Sequence, residues 1–306
     1  MKILLFGPNG QVGWELQRAL APLGEVLALG RRVREGLAGD LEDPDALQET
    51  IRQSAPDVIV NAAAYAAVDH AESEPERAHV INTTAPGVMA SEAKSLGSLL
   101  VHYSTDYVFD GSGQQPWRED DPTAPLNVYG RTKLAGETAI RAAGGRHLIF
   151  RTAWVYAARG NNFIRTMLRL ACERDALKVV NDQHGTPTGA EFIADATAHA
   201  IRATTADSDR CGTYHLTAAG ETTWYGYATY LLEQARQLGY PLRVRRRAIE
   251  PVTSEAFPTA AQRPHNSRLD GTRLEKTFGL HRPDWRDGVA RAVREMTPTG
   301  KVAFLQ

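Results

Sequence analysis

MKILLFGPNGQVGWELQRAL, residues 1–20, changes character twice in quick succession. Ile3 to Phe6 is a short apolar run without polar alternation, the pattern of a strand buried on both faces. Gly7-Pro8-Asn9-Gly10 breaks it. From Gln11 to Ala21 the period lengthens, and Val12, Leu16, Ala19 and Leu20 fall on one helical face. Gly7, Gly10 and Gly13 span the break at a three-residue spacing. In a strand–turn–helix setting the first glycine permits the tight turn and the second lets backbone approach a pyrophosphate. The third lets helix and strand pack closely, while helix N–H groups face the anion. Glycines at this spacing are common by chance, so the setting, not the spacing, points to dinucleotide binding.

Moving along the chain, Val26–Leu29, Asp57–Asn61, Leu99–Tyr103 and His147–Phe150 read as further apolar strands. Helical patterns alternate with them: Asp43–Ser54, a long one from about Pro75 to Leu96, and Tyr129–Arg141. Apolar strands alternating with helices predict an α/β fold with a doubly wound parallel sheet. Beyond Arg151 the pattern loosens, with helices expected over Phe163–Arg174, Ala190–Thr204, Thr223–Leu238 and Asp284–Met296. Glycine and proline at Gly185, Pro187, Gly189 and Pro251 interrupt them. The expected division is a dinucleotide-binding domain over 1–151 and a smaller mixed α/β substrate-binding lobe over 152–306, from which some segments return to the first domain. Thr297 to Gln306 reads as a frayed tail.

Composition removes several function classes. With 35 basic against 36 acidic side chains the net charge is −1, whereas a general nucleic-acid binder carries a basic excess. The one dense basic cluster, Arg243, Arg245, Arg246 and Arg247, reads as a solvated edge. Cys172 and Cys211 lie in no zinc-ligand spacing and cannot make a disulfide framework. No apolar run approaches the roughly 18 residues of a membrane span. The N-terminal apolar run is also too short for a secretory signal, so the expectation is a cytoplasmic protein without membrane contact.

Two further features carry chemistry. Where a dinucleotide site that prefers NAD places an acid after the second strand, this chain reads Leu29-Gly30-Arg31-Arg32. Two guanidinium groups suit a ribose 2′-phosphate and favour NADPH over NADH; the alternative is that Arg31 and Arg32 are exposed loop charges. Tyr129 and Lys133 stand one helical turn apart. A cation beside a phenol stabilises phenolate, so the tyrosine pKa is expected to fall from about 10 toward the range of a working proton donor. The strand ending at Tyr103 delivers Ser104-Thr105-Asp106 to the sheet edge where ligands bind, and a hydroxyl at Thr105 can reach substrate and tyrosine together.

On these residues the chain resembles the extended short-chain dehydrogenases/reductases, and within them the dTDP-4-dehydrorhamnose reductases. The segments that carry the resemblance include GPNGQVGWEL at 7–16, NAAAYAAVDHAESEPE at 61–76 and HYSTDYVFD at 102–110. PLNVYGRTKLAGE at 125–137, RTAWVYAARGNN at 151–162, 181–195 and RPHNSRL at 263–269 continue it, so it spans nearly the whole chain. The resemblance implies reduction of the 4-keto group of dTDP-4-dehydro-β-L-rhamnose by NADPH, a step that feeds bacterial cell-surface polysaccharide. It implies Tyr129 as proton donor, Thr105 tuning it, and Lys133 holding the nicotinamide ribose. Gly10, Gln11 and Val12 would lie under the pyrophosphate, Asp40 and Leu41 beside the adenine, and Ala62, Ala63, Ala64 and Tyr65 along the ribose and nicotinamide. Thr105, Asp106 and Trp154 would face the sugar, with Arg263 and Asn266 near the nucleotide end. It also implies a homodimer linked by Mg²⁺ through Glu15, Glu191 and Glu295; on the residues alone these are surface helix carboxylates. A hard cation does take carboxylate oxygens.

Two other readings compete. A nucleotide-sugar dehydratase or epimerase shares the frame, but dehydratases resemble Thr-Asp-Glu where this chain has Thr105-Asp106-Tyr107. A non-catalytic NADP-binding regulatory subunit would have no use for the intact Thr105, Tyr129 and Lys133. Trp14, Trp285, His70, His79 and His184 read as packing or surface residues. His265 is drawn toward the substrate only by its neighbours, and Asp182 and Gln183 are candidates for the pocket mouth.

Overall fold

Six parallel strands form the centre of the molecule in the computed structural model, which describes residues 1–297. The expected frayed tail, past Thr297, lies outside the described residues. Strands β1 (Lys2–Phe6), β2 (Glu25–Leu29), β3 (Val58–Asn61), β4 (Leu99–Thr105) and β5 (His147–Thr152) are joined by Gly212–His215 from the second half of the chain. Across the sheet the order is Gly212–His215, β5, β4, β3, β1, β2. The chain thus leaves β1 in one direction to make β2, then returns to β1's other side to make β3. That reversal opens a crevice beyond the carboxyl ends of β1 and β3, the usual ligand site of an open parallel sheet.

The strands are apolar because both faces are covered. Ile3, Leu5, Val60 and Val101 pack on one side with helix α1 (Gln11–Leu20) and the Ala190–Ala206 helix; Leu4, Phe6, Ile59 and Leu100 pack on the other with α2 (Pro44–Ser54) and the Ala85–Leu96 helix. A separate core gathers Tyr227, Leu231, Trp285 and Val289 with Ile164 and Leu168. It builds the second lobe, to which the short parallel pair Leu177–Val180 and Ile249–Val252 belongs. The Gly212–His215 strand and the Ala190–Ala206 helix meanwhile lie with the main sheet.

One helix departs from expectation. The pattern from Pro75 to Leu96 resolves into Pro75–His79, a wide π turn over Val80–Thr84, and Ala85–Leu96. The cause is Pro86, which has no N–H for the carbonyl of Asn82 and whose ring would crowd that oxygen. The released Asn82 carbonyl lies against Gly136, where any Cβ would overlap it. The strand expected to end at Tyr103 runs on through Thr105, so Thr105 leaves the sheet in extended conformation. Both cysteines are free thiols. Among the described residues no helix is long and apolar enough to cross a membrane.

Candidate active site

The glycine turn forms as its spacing requires. Gly7 has φ +80°, and a Cβ there would stand 2.7 Å from the Ala63 nitrogen. A Cβ on Gly13 would overlap the Gly7 carbonyl, so this glycine lies behind the cleft, closing helix onto strand. Gly10 is the N-cap of α1 and supplies no capping side chain, leaving the first-turn N–H groups to a ligand. A Cβ on Gly10 would meet no protein atom closer than 3.5 Å, so its open side belongs to the crevice.

From this turn a cavity of about 1300 Å³ runs along the sheet edge. Gly7, Gly10, Gln11 and Val12 line its floor, and Arg31, Arg32, Asp40 and Leu41 its far end. Ala62, Ala63 and Ala64 line one side, and Thr105, Asp106, Tyr129, Lys133 and Trp154 close the near end. Both arginines are exposed at the cavity rim. The unoccluded N-terminus of α1, the open glycine and a cavity this long fit a bound dinucleotide.

Two expected site residues turn elsewhere. Tyr65 donates from its hydroxyl to Glu74 at 2.7 Å, and its backbone N–H donates to Asn82 Oδ1 at 2.9 Å, so its ring leaves the cavity wall. The cause is the π turn, which aims the Asn82 amide at the Tyr65 backbone. Asn266 is buried, and its amide donates to the carbonyls of Ser112 and Gln115. It pins the 110–117 loop and lines neither cavity.

The near end is built on the Val128–Ala143 helix. Asn127 caps it, accepting from Gly130 N at 2.8 Å, which starts the helix where Tyr129 and Lys133 both face inward. Burial dominates the chemistry of both. The phenol of Tyr129 is pushed up to about 12 by burial, with Thr105 pulling it back and Asp106 pushing further up. This corrects the expected fall. Lys133 Nζ donates to the Tyr103 carbonyl at 2.6 Å and meets His102 Nε2 at 3.1 Å. Loss of solvation brings Lys133 down to about 8, against the upward pull of Glu137. The Thr105 hydroxyl donates to Asp106 Oδ1 at 3.0 Å and accepts from Tyr107 N at 3.1 Å. Asp106 is raised to about 6 by burial, partly offset by Ser267 and Thr105, and its Oδ2 makes no hydrogen bond of ordinary geometry.

Beyond this end lies a second cavity of about 790 Å³. Trp224 lines both and stacks on Trp154 with ring centroids 3.7 Å apart and planes at 12°. Trp154 holds φ +50°, a strained setting for a bulky residue, and its indole lies against Gly185, where a Cβ would come within 2.5 Å. Arg263 lines the second cavity and pairs with Asp69 at 2.6 Å. Gln183 and His265 line it too, while Asp182 accepts from the backbone and hydroxyl of Ser254. Trp224, Phe163 and His102 went unrecognised in the sequence. Only the fold brings the two aromatics, 61 residues apart, together, with Phe163 against Trp224 and Trp224 stacked on Trp154.

The proposed metal ligands do not make a site within one chain. Arg291 lies 3.3 Å from Glu191 and 3.0 Å from Glu295, and Arg18 lies 3.5 Å from Glu15. These carboxylates share a neighbourhood, since Glu15 and Glu295 both push Glu191 upward after burial does. Among the described residues, however, no three acidic, histidine or cysteine side chains are placed to hold an ion.

A parallel sheet reversing at a glycine turn, with Thr105, Tyr129 and Lys133 in one crevice, defines a nicotinamide-dependent enzyme of the extended short-chain dehydrogenase/reductase class. A family model described as the RmlD substrate binding domain matches residues 1–297. A dTDP-4-dehydrorhamnose reductase of Escherichia coli K12 is 55% identical over 299 residues, covering 98% of this chain and 99% of that one. The enzyme of the same name from Salmonella typhimurium LT2 is 53% identical over 299 residues, with 98% and 99% covered. A solved dTDP-4-dehydrorhamnose reductase from Bacillus anthracis, in complex with NADP, superposes with TM-score 0.84 at 32% identity, covering 96% of this chain and 99% of that one. The chain belongs to the dTDP-4-dehydrorhamnose reductase family.

Proposed function

We propose that the protein reduces the 4-keto group of dTDP-4-dehydro-β-L-rhamnose to the alcohol with NADPH, giving dTDP-β-L-rhamnose for surface polysaccharide in the cytoplasm. The observation that carries this reading is the convergence of Thr105, Tyr129 and Lys133 at one end of a cleft whose floor is a bare glycine turn. When bound, NADPH supplies the hydride. Arg31 and Arg32 would hold its 2′-phosphate, and the N–H groups at Gln11 and Val12 its pyrophosphate. Lys133 would hold the nicotinamide ribose.

At the sugar end, the raised pKa of Tyr129 keeps its proton on the phenol throughout the physiological range. It is released only to a stronger base, the alkoxide forming at C4 of the sugar. Thr105, turning its hydroxyl from Asp106, would orient the carbonyl oxygen. The stacked Trp154 and Trp224 would wall the sugar, and the second cavity, with Arg263 at its rim, has room for the nucleotide. Tyr107, where a dehydratase has an acid, is half-buried and edge-on to Tyr129 with centroids 5.7 Å apart. It offers no carboxylate for elimination.

The test is a reductase assay with the 4-keto sugar. NADPH should be consumed one for one with sugar, whereas an epimerase would show no net oxidation. Tyr129→Phe should keep NADPH affinity while losing at least about tenfold in turnover, the cautious end of general-acid effects. The homodimer and its Mg²⁺ rest on the family resemblance alone, and sedimentation with and without EDTA tests both: a single-chain mass under each condition removes them.

A further inference from the structure

Behind the catalytic lysine runs a line of hydrogen bonds whose direction is settled at one end. The Ala63 backbone N–H can only donate, and it gives its proton to Asn61 Oδ1 at 3.1 Å. The Asn61 amide nitrogen therefore faces His102 Nδ1, at 3.1 Å, and donates to it. A neutral imidazole that accepts at Nδ1 carries its hydrogen on Nε2. That hydrogen points at Lys133 Nζ, 3.1 Å away. An ammonium has no lone pair to receive it; an uncharged amine has one, and still donates to the Tyr103 carbonyl.

We propose that His102 and Asn61 are positioning residues which couple the protonation of Lys133 to the tautomer of His102 and to the backbone of the cofactor-lining residue Ala63. With Lys133 uncharged, the line is complete from Ala63 to Tyr103. When Lys133 takes a proton from solvent, His102 must accept at Nε2 and carry its hydrogen on Nδ1, so the pair gains one proton in all. Nδ1–H then faces the Asn61 N–H, and either that bond is lost or Asn61 turns over and gives up Ala63.

The surroundings permit this. Asn61, His102 and Lys133 are each no more than 2% exposed, so water does not repair a mismatch. Burial and the lysine's charge hold His102 well below the ordinary histidine range, which keeps the ring neutral. The charged group acting on Lys133 is Glu137 on its own helix, tied to Arg151 of β5 at 2.7 Å and to Arg141 at 3.1 Å; β4 contributes Asp106, which lines the same cavity, β3 the neutral Asn61, and the π turn the neutral Asn82. Glu137 favours ammonium and burial favours amine, and the balance near 8 leaves both forms accessible.

The inference concerns the lysine used in the proposed reaction, but its test needs neither cofactor nor substrate, so a failed reductase assay leaves it standing. Protein labelled with ¹⁵N-histidine is titrated by NMR from about pH 6 to about pH 10, bracketing the histidine and lysine ranges. His102 should pass from the Nδ1–H to the Nε2–H tautomer with a midpoint near 8, without becoming imidazolium. Lys133→Met should abolish the transition. Asn61→Asp, which accepts from Ala63 and from Nδ1–H together, should hold the Nδ1–H form throughout. One unchanging tautomer in the wild-type protein, or an imidazolium, overturns the proposal; the wild-type titration decides even if a variant does not fold.

Discussion

The two ends of the long cleft are made differently. The end at the glycine turn is backbone: Gly7 and Gly10, the first turn of α1 and a row of alanines, with Gly13 behind them and charge at the exposed rim. The end at Tyr129 is side chain, and much of it is held against its solution preference. Asp106 is kept near 6, Lys133 near 8, and Trp154 sits at positive φ. Geometry alone suffices where the ligand brings its own charges. Where a proton must move, the protein accepts desolvated groups that the rest of the fold has to stabilise.

Four variants sharpen or break that contrast. Gly13→Ala should do most damage, because its methyl would overlap backbone at Gly7 that has no room to retreat. We expect a loss of about 3 kcal/mol or more, together with NADPH binding, in thermal unfolding and titration. Intact stability would mean the backbone end is softer than described. Asp106→Asn should act in the opposite sense, raising stability at neutral pH by roughly 2–3 kcal/mol while lowering turnover. The folded carboxyl holds its proton up to about 6, the unfolded one only to about 4, so ionisation at neutral pH opposes folding. Wild-type stability should therefore rise as pH falls from 6 toward 4, and the variant should lack that rise. Equal pH profiles would remove the claim of stress at this end.

Gly185→Ala should cost about 1–2 kcal/mol by pressing on the Trp154 indole, and should raise KM for the keto sugar with NADPH affinity unchanged. The smallest effect is expected from Arg31→Ala with Arg32→Ala. Exposed phosphate contacts of this kind are worth about 1 kcal/mol, so preference for NADPH over NADH should fall by about tenfold or less and fade further in high salt. Unaltered preference would make them the loop charges that the sequence also allowed.

The contrast also explains what could be read in advance. The glycine turn, the alternating strands and helices and the Tyr129–Lys133 spacing are local patterns, and each lies where the pattern puts it. What escaped depends on distant segments. Pro86 was in plain view, but that its π turn would draw Tyr65 from the cavity depends on Asn82 meeting the Tyr65 backbone. Asn266 lies in a segment matching the family and serves as a loop clamp instead. The phenol's shift ran opposite to expectation because helical spacing says which residues are neighbours and nothing of how much water they keep. Trp224 carried no motif at all.

The indole pair has a practical consequence. Two tryptophans lying nearly parallel and in van der Waals contact couple their excited states and lose emission to one another. Because the pair forms the partition between two cavities, any occupant that slides one ring over the other changes an optical signal native to the chain. The protein therefore carries an unlabelled gauge of its own filling, readable by circular dichroism or fluorescence before any turnover has taken place.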